Sequence, residues 1–193
     1  MAPPLILASR SPQRRAILEA LGVPFTVVPA DVEEYEAGEP RSVAELNSLR
    51  KAQAVARPGA LVLGVDTVVA LEDRVFGKPR DAPQARATLR RLGGRTHDVI
   101  SAITVIDDAG PPRTETALTR VTFRPLDDAW LSWYVGTEEW RGRAGAYAVQ
   151  GAGQALVTHI EGEHSNVVGL PVALLLAMLP GLLVEPTGEG DGP

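Results

Sequence analysis

Several separate stretches of the chain carry side chains suited to work on phosphate. Ser9-Arg10-Ser11-Pro12-Gln13-Arg14-Arg15 combines hydroxyls with neighbouring guanidiniums just ahead of a helical pattern. Amides at a helix N-terminus and the parallel donors of a guanidinium both favour an anion, although a capped, solvated helix start needs the same residues. Asp66 falls between two apolar runs, Leu61 to Val65 and Thr67 to Leu71. An ionised carboxylate enclosed there requires water, a cation or a polar partner, so it is either a structural acid or a working one. If the fold brings Glu33 and Glu34 beside it, Asp66 would bind a hard divalent cation, magnesium or manganese, or orient a water.

Lys51 and Lys78 have the charge to meet successive phosphates, and each also reads as an ordinary surface lysine. The glycine-rich segment from Gly142 to Gly153 surrounds Gln150. Its amide both donates and accepts, which suits the edge of a base and equally suits a self-satisfied turn. His97, His159 and His164 show no zinc-ligand spacing, and a structural or surface role fits each. No Gly-Lys-Ser or Gly-Lys-Thr run closes a phosphate loop of the ATPase kind. The chain has no cysteine, which removes disulfides, thiol nucleophiles and cysteine-held metals.

Strands and helices must alternate to position these groups. Leu5 to Ala8 reads as a strand, followed by a helix capped by Ser11 with Pro12 in its first turn and ended by Gly22. Phe25 to Val28 is a short strand that Pro29 keeps off the sheet centre. The spacing predicts a helix from Ser42 to about Arg57, with Ser42 and Glu45 as a capping box, and another from Asp81 to Leu92. Asp98 to Ile106 and Thr114 to Arg124 flank an Asp-Asp-Ala-Gly-Pro-Pro turn and predict a hairpin. Leu126 to Tyr134 suggests a short helix, Ala155 to Ile160 a strand and Pro171 to Leu179 an apolar helix. These patterns assemble as a mixed sheet with helices outside.

At 193 residues and 45% apolar content, the chain can build one self-sufficient core without staples. The expected organisation is a single domain over residues 1–184 with a disordered acidic tail over 185–193. A formal charge of −5 argues against nucleic-acid polymers and anionic membranes as partners, while leaving room for a small phosphate pocket. The start of the chain lacks a charged leader and the Leu174 to Leu179 run is too short to span a bilayer, so a soluble, cytoplasmic protein is expected.

Leu7 to Arg15, Gly64-Val65-Asp66-Thr67-Val68-Val69 and Gly77-Lys78-Pro79 together resemble the Maf nucleotide pyrophosphatase family. Gly94-Arg95-Thr96-His97, the Gly145 to Gly151 segment and Asn166 to Pro171 extend the resemblance over most of the chain. It implies an α/β fold related to inosine triphosphate pyrophosphatases, with a mixed sheet, flanking helices and a central cleft, commonly as a homodimer. It assigns catalysis to Asp66, Glu34, Lys51 and Lys78, with Asp66 as proton acceptor. Substrate binding would fall to Ser9, Arg14, Arg15, Gln13, Thr67 and Gln150, and a magnesium or manganese ion to Asp66, Glu34 and Glu33. Gln13 departs from the arginine often found at its position.

The pattern around Tyr147 and Gln150 resembles the branch acting on dTTP and UTP, with modified pyrimidine nucleotides as further substrates. A broader nucleotide pyrophosphatase is one alternative. A nucleotide-binding regulator linked to septum formation is another, and a structural α/β domain without ligand is a third.

Overall fold

The computed structural model describes residues 3–183, so the expected tail lies outside the described residues. Its centre is one seven-stranded mixed sheet. The strands are β1 (Leu5–Ala8), β2 (Phe25–Val27), β3 (Leu61–Leu71), β4 (Arg74–Phe76), β5 (Thr96–Ile106), β6 (Arg113–Phe123) and β7 (Val157–Glu161). They lie in the order β2-β1-β3-β5-β6-β7, with β4 paired to the end of β3. β1 runs parallel to β2 and β3, and the remaining pairs are antiparallel. The short β2, followed by Pro29, occupies the edge.

Among the described residues, six helices cover the sheet: α1 (Pro12–Ala20), α2 (Pro40–Val55), α3 (Ala82–Leu92), α4 (Asp128–Gly136), α5 (His164–Val168) and α6 (Val172–Met178). β3 and β5 are buried along most of their length, and β3, interrupted only by Gly64, Asp66 and Thr67, reads as a largely apolar run rather than an alternating one. Leu7, Leu18, Leu63, Ile103 and Leu175 join β1, β3 and β5 to α1 and α6. A larger cluster around Leu89, Phe123, Tyr134, Trp140 and Leu156 fills the opposite end. Among the described residues, no helix is long and apolar enough to cross a membrane.

Local chemistry sets the helix starts. Ser11 caps α1 and Asp81 caps α3, accepting the Arg14 amide at 3.4 Å and the Gln84 amide at 2.8 Å. α2 corrects the Ser42 expectation, because it begins at Pro40 under a Glu39 cap. The Glu39 carboxylate accepts the Arg41 and Ser42 amides at 3.1 and 2.7 Å, and Glu45 pairs with Arg41 instead of closing a box. An anion at the positive end of the helix, with proline at the first position, outcompetes the serine cap. The two apolar runs around Asp66 form one unbroken strand, with the acid inside it. β7 starts later than expected because Ala152–Leu156 forms a 3-10 turn.

His97 lies in the core, with Nε2 3.0 Å from the Tyr147 hydroxyl and Nδ1 without a partner. Burial pushes its imidazole down to about 4 from 6.5. The unfolded chain therefore binds a proton below about pH 6.5 that the folded chain refuses until about pH 4. Stability should fall across that window by roughly 3 kcal/mol at most. Urea midpoints measured from pH 7 to 4 should show this acid slope in the wild type and lose most of it in His97→Gln; equal slopes would assign the loss to other groups.

Candidate active site

A cleft of about 590 Å³ opens where the ends of β1 and α1, the middle of β3, one face of α2 and the 142–150 loop converge. Ser9, Gln13, Arg14, Glu34, Lys51, Asp66, Thr67, Lys78 and Gln150 all line it. Residues from six separate chain segments thus meet at one cleft.

At its floor, the Lys51 ammonium donates to Asp66 Oδ1 at 2.6 Å and pairs with Glu34 Oε1 at 3.1 Å. The Lys51 and Asp66 side chains are only 9% and 7% exposed, against 39% for Glu34. A buried ion pair is costly to desolvate and is weak ground for stability, which shifts the question to what it does. Two carboxylates around one ammonium leave one negative charge over, which the neighbouring Arg14 guanidinium offsets. The second Asp66 oxygen accepts from Asn47 Nδ2 at 3.3 Å.

The packing that makes this possible depends on Gly64, two residues before Asp66 on β3. A Cβ there would stand 2.2 Å from the Ser48 carbonyl oxygen and 2.8 Å from Ala52 of α2. Glycine lets helix and strand approach closely enough for Lys51 to reach Asp66.

Arg14 is built in more firmly than a simple phosphate donor. Its guanidinium donates to the carbonyls of Gly169 and Val65, both at 2.8 Å, and to the Ser9 and Thr67 hydroxyls, both at 3.1 Å. Four of its five N–H groups are thereby used inside the protein, leaving one for a ligand. Burial lowers its pKa, and the nearby Asp66 and Glu34 charges oppose that change. Arg14 therefore fastens β1, β3 and the Gly169 turn together while placing a positive charge by the cleft. Thr67 also bonds Ser101 Oγ at 2.8 Å, so its hydroxyl is largely committed.

Two expected residues are not brought to the site. Arg15 does not line the cleft and pairs with Glu19 at 2.7 Å, because it lies one step further around α1 than Arg14. Glu33 is exposed and also off the cleft, where the loop turns Glu34 toward Lys51 instead. Among the described residues there is accordingly no group of three His, Asp or Glu side chains arranged to hold a metal.

The Gln150 loop is held from beneath. Tyr134 Oη accepts the Ala148 amide at 3.0 Å, and Glu139 accepts the Ala152 and Gly153 amides at 2.9 and 3.2 Å. Gly145, at φ 68°, lies against Val69, where a Cβ would come within 2.9 Å. Tyr147 stands edge-on to both His97 and Phe123. Sequence reasoning identified this loop and missed its supports. It also missed Asn47, whose signal was a polar side chain one turn before Lys51 on a helix face shared with Val43, Ala44, Ser48 and Ala52.

Residues 4–182 match the family described as Maf-like protein. The chain belongs to the Maf-like family. A dTTP/UTP pyrophosphatase of Anaeromyxobacter dehalogenans (strain 2CP-1) is 48% identical over 184 residues, covering 93% of this chain and 94% of that protein. One from Exiguobacterium sibiricum is 43% identical over 186 residues, covering 95% of this chain and 94% of that protein. The solved structure of the Staphylococcus aureus Ham1 protein superposes with a TM-score of 0.53 at 13% identity, covering 92% of this chain and 98% of that one. This last likeness concerns the fold, and it bears out the α/β architecture with mixed sheet and flanking helices. For a Maf-like protein, the cleft centred on Asp66 is thus where its motifs converge.

Proposed function

We infer that the protein is a nucleoside triphosphate pyrophosphatase acting on dTTP and UTP. It hydrolyses the α-β phosphoanhydride to release a nucleoside monophosphate and pyrophosphate. The observation that carries this reading is the Lys51 ammonium held between Asp66 and Glu34 on the floor of a cleft lined by the Ser9 to Arg14 segment. The near-full-length relatives named for that reaction support the substrate.

In this arrangement Asp66 receives the proton of the attacking water, and Lys51 holds the carboxylate in place. Lys78 and the remaining Arg14 donor meet phosphate oxygens as negative charge moves toward the leaving pyrophosphate. Ser9 aligns the chain of phosphates. Glu34 and Asp66 are the carboxylates that would hold a magnesium or manganese ion. When bound, such an ion neutralises phosphate charge. Gln150 reads the uracil or thymine edge, whose carbonyl and N–H groups match its amide, while Gln13 and Thr67 shape the pocket. A homodimer, carried over from the family resemblance, completes the proposal together with the single domain and cytoplasmic setting expected from composition.

A panel of UTP, dTTP, CTP, ATP and GTP, with and without magnesium or manganese, tests the reaction. Monophosphate and pyrophosphate from UTP and dTTP are expected, and diphosphate with inorganic phosphate would place the cleavage elsewhere. In the same panel Gln150→Ala should change the preference among bases more than the shared affinity for triphosphate. A uniform loss for every nucleotide would remove the base-reading role.

A further inference from the structure

We propose that Asn47 is a positioning residue for this reaction, locking the Asp66 carboxylate to the loop that carries Glu34. The inference rests on the pyrophosphatase reading for its catalytic half, whereas its structural half stands on geometry alone.

Asn47 is 2% exposed, and every bond of its amide leads to the site. Its Nδ2 donates to Asp66 Oδ2 at 3.3 Å and to the Tyr35 carbonyl at 3.0 Å. Its Oδ1 accepts the Tyr35 amide at 2.8 Å. The orientation of the amide is dictated, because a flipped group would set its oxygen against two acceptors and its NH2 against a donor. Asp66 is consequently gripped at both oxygens, by Lys51 on one side and Asn47 on the other, and cannot swivel about its terminal torsion.

The second consequence concerns the loop between β2 and α2. This stretch has no regular structure, yet Glu34 must sit within ion-pair distance of Lys51. The paired bonds from Asn47 to both backbone groups of Tyr35 clamp the residue next to Glu34 in the way a sheet ladder would. Asn47 and Lys51 lie one helical turn apart on the same face of α2. One helix face therefore sets the distance between the two acidic groups, through an ammonium and through an amide.

The test compares Asn47→Leu and Asn47→Asp with wild type. Leucine keeps the volume and removes all three bonds. Aspartate keeps the shape and can still accept the Tyr35 amide, but it loses both N–H groups and places a second negative charge against Asp66. In each variant kcat for UTP should fall roughly 10- to 100-fold with KM within about threefold, measured well below the melting temperature. Wild-type kcat in either folded variant would overturn the catalytic half, and Asn47→Asp decides that point if the leucine variant does not fold. Hydrogen exchange over residues 29–39 needs no turnover. It should rise in the variants, and unchanged protection would overturn the clamp. A wild-type protein that releases no pyrophosphate from UTP would instead overturn the reaction itself, whatever the exchange data show.

Discussion

Asp66→Asn should lower kcat for UTP by about 10³-fold while leaving the protein folded. Asparagine preserves shape and can still accept a hydrogen bond from the Lys51 ammonium through its carbonyl oxygen, at the cost of setting its NH2 against that of Asn47, and Lys51 retains Glu34 as an ionic partner. The loss of stability should therefore stay near 1–3 kcal/mol, well short of unfolding. The missing property is proton affinity, since an amide cannot take the proton that the attacking water must lose. Circular dichroism and thermal melts establish the fold, and pyrophosphate release establishes turnover. A folded Asp66→Asn protein with near wild-type kcat would exclude Asp66 as the acceptor.

Gly64→Ala should have the largest effect on stability of any single methyl addition in the sheet. The new Cβ would meet the Ser48 carbonyl oxygen at 2.2 Å, and that atom belongs to the backbone of α2. Relief requires the whole helix to move off β3, opening the contact with Ala52 as well. Overpacking of this type costs about 3 kcal/mol or more, which for a chain of this size lowers the melting temperature by roughly 6–12 °C. Activity should fall in the fraction that remains folded, because the displaced helix carries Asn47 and Lys51 away from Asp66. Gly110→Ala provides the contrast: it sits in the β5-β6 turn with nothing within 4 Å of its Cβ, and its melting temperature should hardly change. Equal behaviour of the two variants would mean that α2 and β3 are not in such close contact.

The parts of this fold that were legible in the sequence are those decided by neighbours in the chain. The β5-β6 hairpin follows from two β-prone runs around a Gly-Pro turn, and the Asp81 and Ser11 caps follow from residues three positions apart. Asp66 on a buried strand could be read from its apolar flanks. Features decided by distant segments could not. The donors of Arg14 go to carbonyls 51 and 155 residues away, so its role as a fastener emerges only with the fold. Likewise, the choice of Glu34 over Glu33 depends on how an irregular loop is pinned by α2. The five-residue α5 is too short to leave a periodic signature, and the Glu39 cap was hidden by a serine three residues later that fits the usual pattern equally well.

The central claim is that Asp66 faces the α-phosphate of a pyrimidine triphosphate across a single water. A crystal structure with an α,β-imido analogue of UTP tests it most directly. The Asp66 carboxylate should lie within hydrogen-bond reach of a water in line with the α-phosphorus, with Lys78 on the outer phosphates and Gln150 at the uracil edge. A triphosphate bound away from Asp66, or one whose α-phosphorus has no water between it and that carboxylate, would contradict it.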